Sequence, residues 1–320
     1  GEELLRIMNQ YVSDWGWEDE FSQWMANDCA ICTTLVDTIV PGRIRDPKEA
    51  AAVAERLGYE DPFLAVREPF QMWGIQGDES LAEKLPFVKA GLPGVFVTPD
   101  VTPYKKRKVR ILNGAHTAFV PGSWVAGFDI VRDCMHDETI RGFMNTMLYD
   151  EVIPTLAADL DVEDCKAFAA AVENRFDNPF IDHALLSICL NSTAKWRARD
   201  LPTLKDYVAE TGNLPKCLST SLATLIAFYT QELVAREGDG LHLRRADGTE
   251  YTAQDDAFVL DFYAAHAGVD DAELVHDVLT NEQMWGEDLT QIAGLEEFVV
   301  NALAVVRAEG VKQAFANAQA

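Results

Sequence analysis

The sequence predicts an α/β unit followed by a mostly helical one, with a boundary near residue 105. Two observations carry this. In the first hundred residues, short runs rich in β-branched and aromatic residues alternate with segments of helical periodicity. After Pro103, most long apolar segments repeat at helical spacing, punctuated by Pro, Gly and Asn.

The elements follow in order. Trp17, Phe21, Trp24 and Met25 recur at helical spacing behind Ser13 and Asp14 as candidate caps. Residues 31–40 are rich in β-branched residues and close at Pro41-Gly42, which fits a stretch containing a buried strand. Asp46-Pro47-Lys48-Glu49 starts a helix, with a capping residue, proline at the first helical position and glutamate two residues later; Gly58 ends it. Residues 63–67, 71–75 and 94–98 read as short strands. In the second part, helices are expected over 138–152, 162–175, 179–190, 218–236, 253–267 and 295–318. Gly238-Asp239-Gly240 and Asp247-Gly248 flank a candidate hairpin.

Composition narrows the function. The formal net charge of -25 over 320 residues argues against a nucleic-acid partner, because a polyanion needs a broad basic surface. No apolar run is long enough to span a bilayer, so no membrane role is expected. The six cysteines are scattered, with no basic-then-apolar leader before them, and are read as reduced thiols of a cytoplasmic protein. Cys29-Ala-Ile-Cys32 has a metal-like spacing but no second pair, and no metal is expected.

Against this acidic background, Lys105, Lys106, Arg107, Lys108 and Arg110 stand together, and Asn113 and His116 follow. On an α-helix, Asn113 and His116 fall roughly 140° and 80° around from Lys108, so the three can share a polar face while Ile111 and Leu112 turn inward. A lysine among other cations can serve as a general base. An asparagine amide can donate to an oxygen gaining negative charge, and a neutral histidine can bond a hydroxyl. The spacing alone also fits the solvated face of a helix behind a basic loop.

Beyond spacing, K108-V-R-I-L-N-G-A-H116 resembles the KxxxxNxxH signature of the long-chain polyol dehydrogenases, the mannitol dehydrogenase family. The similarity extends through T98-P-D-V-T-P-Y104, Y149-D-E-V-I-P-T-L156, N178-P-F-I-D-H183 and L190-N-S-T-A-K195. It continues upstream in T34-L-V-D37, I39-V-P-G42 and E68-P-F70. The resemblance implies the C-terminal part of a Rossmann-type cofactor domain over 1–105 and a helical substrate and catalytic domain over 106–320. It implies an NAD-dependent oxidoreductase interconverting D-tagaturonate and D-altronate by hydride transfer. Lys108 would be the acid/base, Asn113 would hold the reacting oxygen and His116 would orient the sugar chain. Thr33, Asn191 and Lys195 would line the substrate, and Asp37 and Glu68 the cofactor. His183 is expected as a packing or supporting histidine. The basic cluster would act as a cationic funnel for anionic ligands.

The sequence departs from the family in two places. No G-x-G-x-x-G turn occurs, so the chain is expected to begin inside the cofactor domain. The family usually has asparagine where Thr33 stands, and threonine offers a single, shorter donor. Within the family, fructuronate reduction and mannitol oxidation are the alternative activities. From another class, a truncated module that binds a sugar acid or a partner protein is the alternative. The sequence leaves oligomeric state and the choice between NADH and NADPH open.

Overall fold

A computed structural model describes residues 1–320 apart from Glu18, Arg45 and the side chain of Glu2. The chain divides into two compact units, Gly1–Lys106 and Arg107–Ala320.

The first unit holds α1 (Glu2–Asp14), α2 (Asp19–Asp28), β1 (Thr34–Asp37), α3 (Pro47–Leu57), β2 (Met72–Gln76), α4 (Glu79–Lys84), α5 (Pro86–Lys89) and β3 (Val95–Thr98). Its sheet runs β1-β2-β3. β1 is antiparallel to β2, with Thr34 opposite Ile75, and β2 is parallel to β3, with Trp73 opposite Val95. Met25, Leu35, Met72, Ile75 and Val101 form its buried apolar centre. α3 starts and stops where local chemistry dictates. Asp46 accepts from the Lys48 N–H, Pro47 occupies the first turn, and Gly58 closes the helix at φ 79°. Gly94 admits β3 beside β2. It sits at φ 76°, and a Cβ there would stand 2.0 Å from the Gln71 carbonyl oxygen.

Two expectations change here. Ser13 and Asp14 end α1 instead of capping α2. Residues 63–67 form no strand; Val66 makes one antiparallel bridge to Gly42, and Phe63 is left 82% exposed. Without a partner strand, β-propensity alone does not hold an extended segment in a sheet.

α6 (Thr102–Lys108) leads into a π-helical turn, Val109–Asn113, and then α7 (Gly114–Val125). α8 (Val131–His136), α9 (Glu138–Thr146), a second π turn (Met147–Val152), α10 (Val162–Phe176), α11 (Leu185–Ile188), α12 (Ser192–Arg199), α13 (Leu201–Thr211) and α14 (Lys216–Tyr229) follow. A meander of β4 (Glu232–Glu237), β5 (Gly240–Arg244) and β6 (Glu250–Ala253) precedes α15 (Ala257–Ala265), α16 (Asp271–Leu279), α17 (Glu282–Trp285), α18 (Leu295–Glu309) and α19 (Val311–Ala318). α7 and α14 are buried almost throughout and pack on each other, with α18 and α19 against α14. Around them Phe143 stacks on Phe315 at 3.9 Å, and Trp196 meets Trp285 edge-on at 5.5 Å. Helices buried on all sides show little amphipathic period, and α7 and α14 accordingly lack a solvent-facing polar stripe, nearly all of their few polar side chains being buried.

The helix expected over 218–236 stops at Tyr229, because residues from Glu232 pair with β5. The helix expected over 179–190 is helical only at Leu185–Ile188. The long C-terminal helix breaks at Gly310, which takes φ 91° and ψ 164°. Among the described residues, no helix is long and apolar enough to cross a membrane.

Candidate active site

Lys108 is the last residue of α6, and Asn113 closes the π turn that follows. The Gly114 N–H donates to the Val109 carbonyl, five residues back. This changes the angular arrangement expected of an α-helix. A π turn takes about one residue more than an α turn. The five-residue step from Lys108 to Asn113 is therefore nearly one full turn, and the two side chains leave the helix on one side. Ile111 and Leu112 are buried, at 0% and 5% exposure. The wide turn sits against Gly114, where a Cβ would meet Asp200 Oδ1 at 2.9 Å.

Asn113 and His116 each carry a buried polar atom, Oδ1 and Nε2, without a hydrogen-bond partner among the described residues. Buried polar groups are nearly always bonded, so such atoms in a motif are places for a ligand to bond. The Asn113 carbonyl accepts from the Thr117 hydroxyl at 2.9 Å, and Thr117 in turn accepts from Arg199 Nη1 at 3.0 Å. The His116 ring stacks on Phe176 at 3.9 Å and meets His183 edge-on at 5.5 Å. Burial pushes its pKa well below the usual 6.5, and the charges of His183, Arg199, Arg175 and Lys108 push the same way. His116 is therefore held as a neutral imidazole.

α12 supplies the next candidates. Asn191 precedes it at φ 53° and ψ 47°, the one non-glycine residue with positive φ among those described. That conformation is costly and is held from both sides: the Asn191 N–H donates to the Gln254 carbonyl at 2.9 Å, and the Asn191 carbonyl accepts from the Lys195 N–H at 3.1 Å. The Thr193 N–H donates to Asp255, which also accepts from the Tyr229 hydroxyl. Lys195 Nζ donates to the Ile188 carbonyl at 2.9 Å. Its pKa is lowered by burial first and by Arg199 next. Asp200 points into the protein. Oδ2 lacks a hydrogen-bond partner among the described residues, and burial raises its pKa well above the usual carboxyl value.

The basic cluster is partly neutralised. Arg107 pairs with Asp164, and Arg110 pairs with Asp206 at 3.0 Å. A funnel made of all five cations is therefore not what the fold builds.

Thr33, Asp37 and Glu68 belong to the first unit. The Thr33 carbonyl accepts from the Gln76 N–H at 2.9 Å. Asp37 and Glu68 are buried, at 1% and 2% exposure, and Glu68 Oε1 accepts from the Ile39 N–H at 2.6 Å. Sequence reasoning passed over Phe176, Thr117 and Arg199. Arg199 had a signal, since it stands four residues after Lys195 on one helix face. Phe176 had none, since its contact with His116 spans sixty residues.

Residues 100–307 match the profile of the mannitol dehydrogenase C-terminal domain. An altronate oxidoreductase of Yersinia enterocolitica is 40% identical over 99% of this chain and 63% of its own length. One from Enterobacter sp. strain 638 is 41% identical over 98% of this chain and 62% of its own length. The chain thus spans somewhat under two thirds of these curated relatives. Among solved structures, the Pseudomonas fluorescens mannitol 2-dehydrogenase ternary complex with NAD and D-mannitol is similar with a TM-score of 0.73 and 21% identity. That match covers 94% of this chain and 56% of the other. A D-sorbitol dehydrogenase in substrate-free form matches with a TM-score of 0.72 and 19% identity, over 94% and 57%. At these identities the likeness carries the fold: an α/β unit of Rossmann type followed by the helical domain seen in those dehydrogenases. With the family profile spanning most of the second unit, the chain belongs to the mannitol dehydrogenase family.

Proposed function

We propose that the protein is an NAD-dependent oxidoreductase that interconverts D-altronate and its keto acid, D-tagaturonate. The observation that carries the proposal is the π turn, which puts Lys108 and Asn113 on one side of the helix with His116 nearby. Two buried, unpartnered atoms, Asn113 Oδ1 and His116 Nε2, are left for a hydroxyl-bearing ligand. The sugar-acid substrate is supported by the altronate oxidoreductases that share about two fifths of its residues, 40% and 41%.

The residues present fit a nicotinamide cofactor in part. Asp37 and Glu68 are buried carboxylates of the α/β unit, and carboxylates accept hydrogen bonds from ribose hydroxyls. We assign both to the cofactor, with Glu68 Oε1 already engaged by Ile39. A glycine-rich phosphate turn does not occur in these 320 residues. When bound, NAD would supply the hydride chemistry. The protein's own part is the proton and the position of the substrate. Lys108 exchanges a proton with the reacting oxygen, Asn113 bonds that oxygen, and neutral His116 bonds a neighbouring hydroxyl. Thr33, Asn191 and Lys195 are assigned to the substrate pocket, Thr33 as a further donor to the reacting oxygen.

The test is NADH oxidation by the full-length gene product with D-tagaturonate, with Lys108→Ala as control. Turnover that vanishes in the variant supports the reading. A folded wild-type protein that turns over D-fructuronate, D-fructose or nothing at all, and not D-tagaturonate, overturns it.

A further inference from the structure

In a chain with 52 acidic and 27 basic residues, a half-buried cation without a carboxylate is unusual. Many arginines of the second unit are paired with carboxylates. Arg110 meets Asp206, Arg132 meets Asp182, Arg141 meets Glu173, Arg236 meets Asp261, Arg245 meets Asp247 and Arg307 meets Asp271. Lys195 and Arg199 on α12 depart from this pattern. They stand four residues apart, hence on one helix face. Both are partly buried, yet each donates to a neutral oxygen: Lys195 to the Ile188 carbonyl, Arg199 to the Thr117 hydroxyl. Among the described residues no carboxylate forms an ion pair with either.

The acids in their vicinity, Asp255 for Lys195 and Asp200 for Arg199, act on them without forming an ion pair. Asp200 follows Arg199 in the chain but packs its Oδ1 on Gly114, and burial drives it toward the neutral acid. Asp255 is engaged by the Thr193 N–H, the Asp256 N–H and the Tyr229 hydroxyl. Two partly buried positive charges without a direct ion-pair partner favour an anion that joins them. The pair also borders the motif. Arg199 bonds the residue after His116, and its charge acts on the His116 ring.

We propose that Lys195 and Arg199 together form the receptor for the carboxylate of a sugar-acid substrate. They fix the acid end of the chain while the carbon to be oxidised or reduced lies at Lys108 and Asn113. The guanidinium suits this role, because its planar fork matches a carboxylate with two parallel hydrogen bonds and one Nη is already anchored by Thr117. The preference for sugar acids over neutral polyols would then reside in α12 and not in the Lys-Asn-His motif. This rests on the oxidoreductase reading above and adds where the acid group goes.

The experiment uses the full-length protein with D-altronate and with D-mannitol as an uncharged six-carbon comparison. Steady-state kinetics and calorimetric binding are measured for wild type, Arg199→Gln, Arg199→Lys and Lys195→Met. The expected result is a roughly 100-fold rise in KM for D-altronate in Arg199→Gln, with kcat within a few-fold. The loss is at least roughly tenfold larger for D-altronate than for D-mannitol, and Arg199→Lys recovers part of it. Equal losses for both ligands, or none, overturn the receptor. Lys195→Met gives the same comparison if Arg199→Gln does not fold. If wild type binds D-altronate without turning it over, and Arg199→Gln abolishes that binding, the oxidoreductase reading fails while the receptor stands. Wild type that prefers D-mannitol to D-altronate in binding overturns the receptor whatever the kinetics.

Discussion

Glu151 accepts hydrogen bonds from the backbone N–H groups of Cys217 at 2.7 Å and Leu218 at 2.9 Å. α14 starts after Pro215 with no side-chain cap of its own, so a carboxylate from the second π turn closes its N-terminus. α14 packs on α7, which carries His116, so the cap supports the floor of the candidate site.

That cap makes stability depend on pH. Burial lifts the Glu151 pKa from 4.5 to about 7, against the pull of its backbone donors. A carboxyl whose folded pKa is raised holds its proton more tightly when folded. Its contribution is full below pH 4.5 and is lost as pH rises toward about 7. The loss is up to about 3 kcal/mol across that window. Glu151→Gln should flatten this slope while costing about 1–2 kcal/mol for the acceptor it lacks. Urea denaturation at several pH values between 4.5 and 8 checks it, and an unchanged slope in the variant refutes the assignment.

Gly114 is the second pressure point. A methyl group there would meet Asp200 Oδ1 at 2.9 Å, inside a buried interface. Gly114→Ala should cost about 1–3 kcal/mol by overpacking and should lower kcat by displacing the π turn. Asp200 makes no side-chain cap on α13, so Asp200→Ala should be far milder. The double variant should recover most of the loss, and simple additivity of the two effects would count against the contact.

How much of this was legible depended on how local the cause is. The α3 boundaries at Asp46, Pro47 and Gly58 could be read directly, because caps act within one turn of the chain. The end of α14 could not. Residues 218–236 keep an apolar content that suits a helix, and only pairing with β5 turns residues from Glu232 into a strand. The π turn was likewise hidden. Whether a carbonyl is bonded four or five residues on depends on the tertiary surroundings, and here Asp200 approaches Gly114 from eighty-six residues away. The motif itself was legible through family likeness, whereas Phe176 under His116 and Arg199 beside Thr117 are products of tertiary structure.

The π turn gives the proposed mechanism a direct test. On that proposal, Lys108 and Asn113 act on the same oxygen. Lys108→Ala should lower kcat about 10³-fold or more, and Asn113→Ala about 10²-fold, without loss of folding. The double variant should be little worse than Lys108→Ala alone, because residues acting as a unit are not additive. Single-turnover absorbance at the reduced nicotinamide band gives the rates. Independent, multiplicative losses would mean that the two residues serve different steps.

His116 gives the complementary pH signature. Its pKa is depressed by burial, so its folded state favours the neutral ring. A histidine of this kind contributes fully above the unfolded value near 6.5, and the contribution is lost as pH falls below it. This is the opposite slope to Glu151 over an overlapping window, so the wild-type profile blends the two and the variants separate them. The ring stacked at 3.9 Å supplies much of that burial, and Phe176→Ala should admit water and move the His116 titration up toward 6.5. The ring-proton resonance of His116, followed by NMR from pH 4 to 8, is the measurement. A midpoint already near 6.5 in the wild-type protein would show an accessible, charged imidazole, and the neutral hydrogen-bonding role would have to be given up.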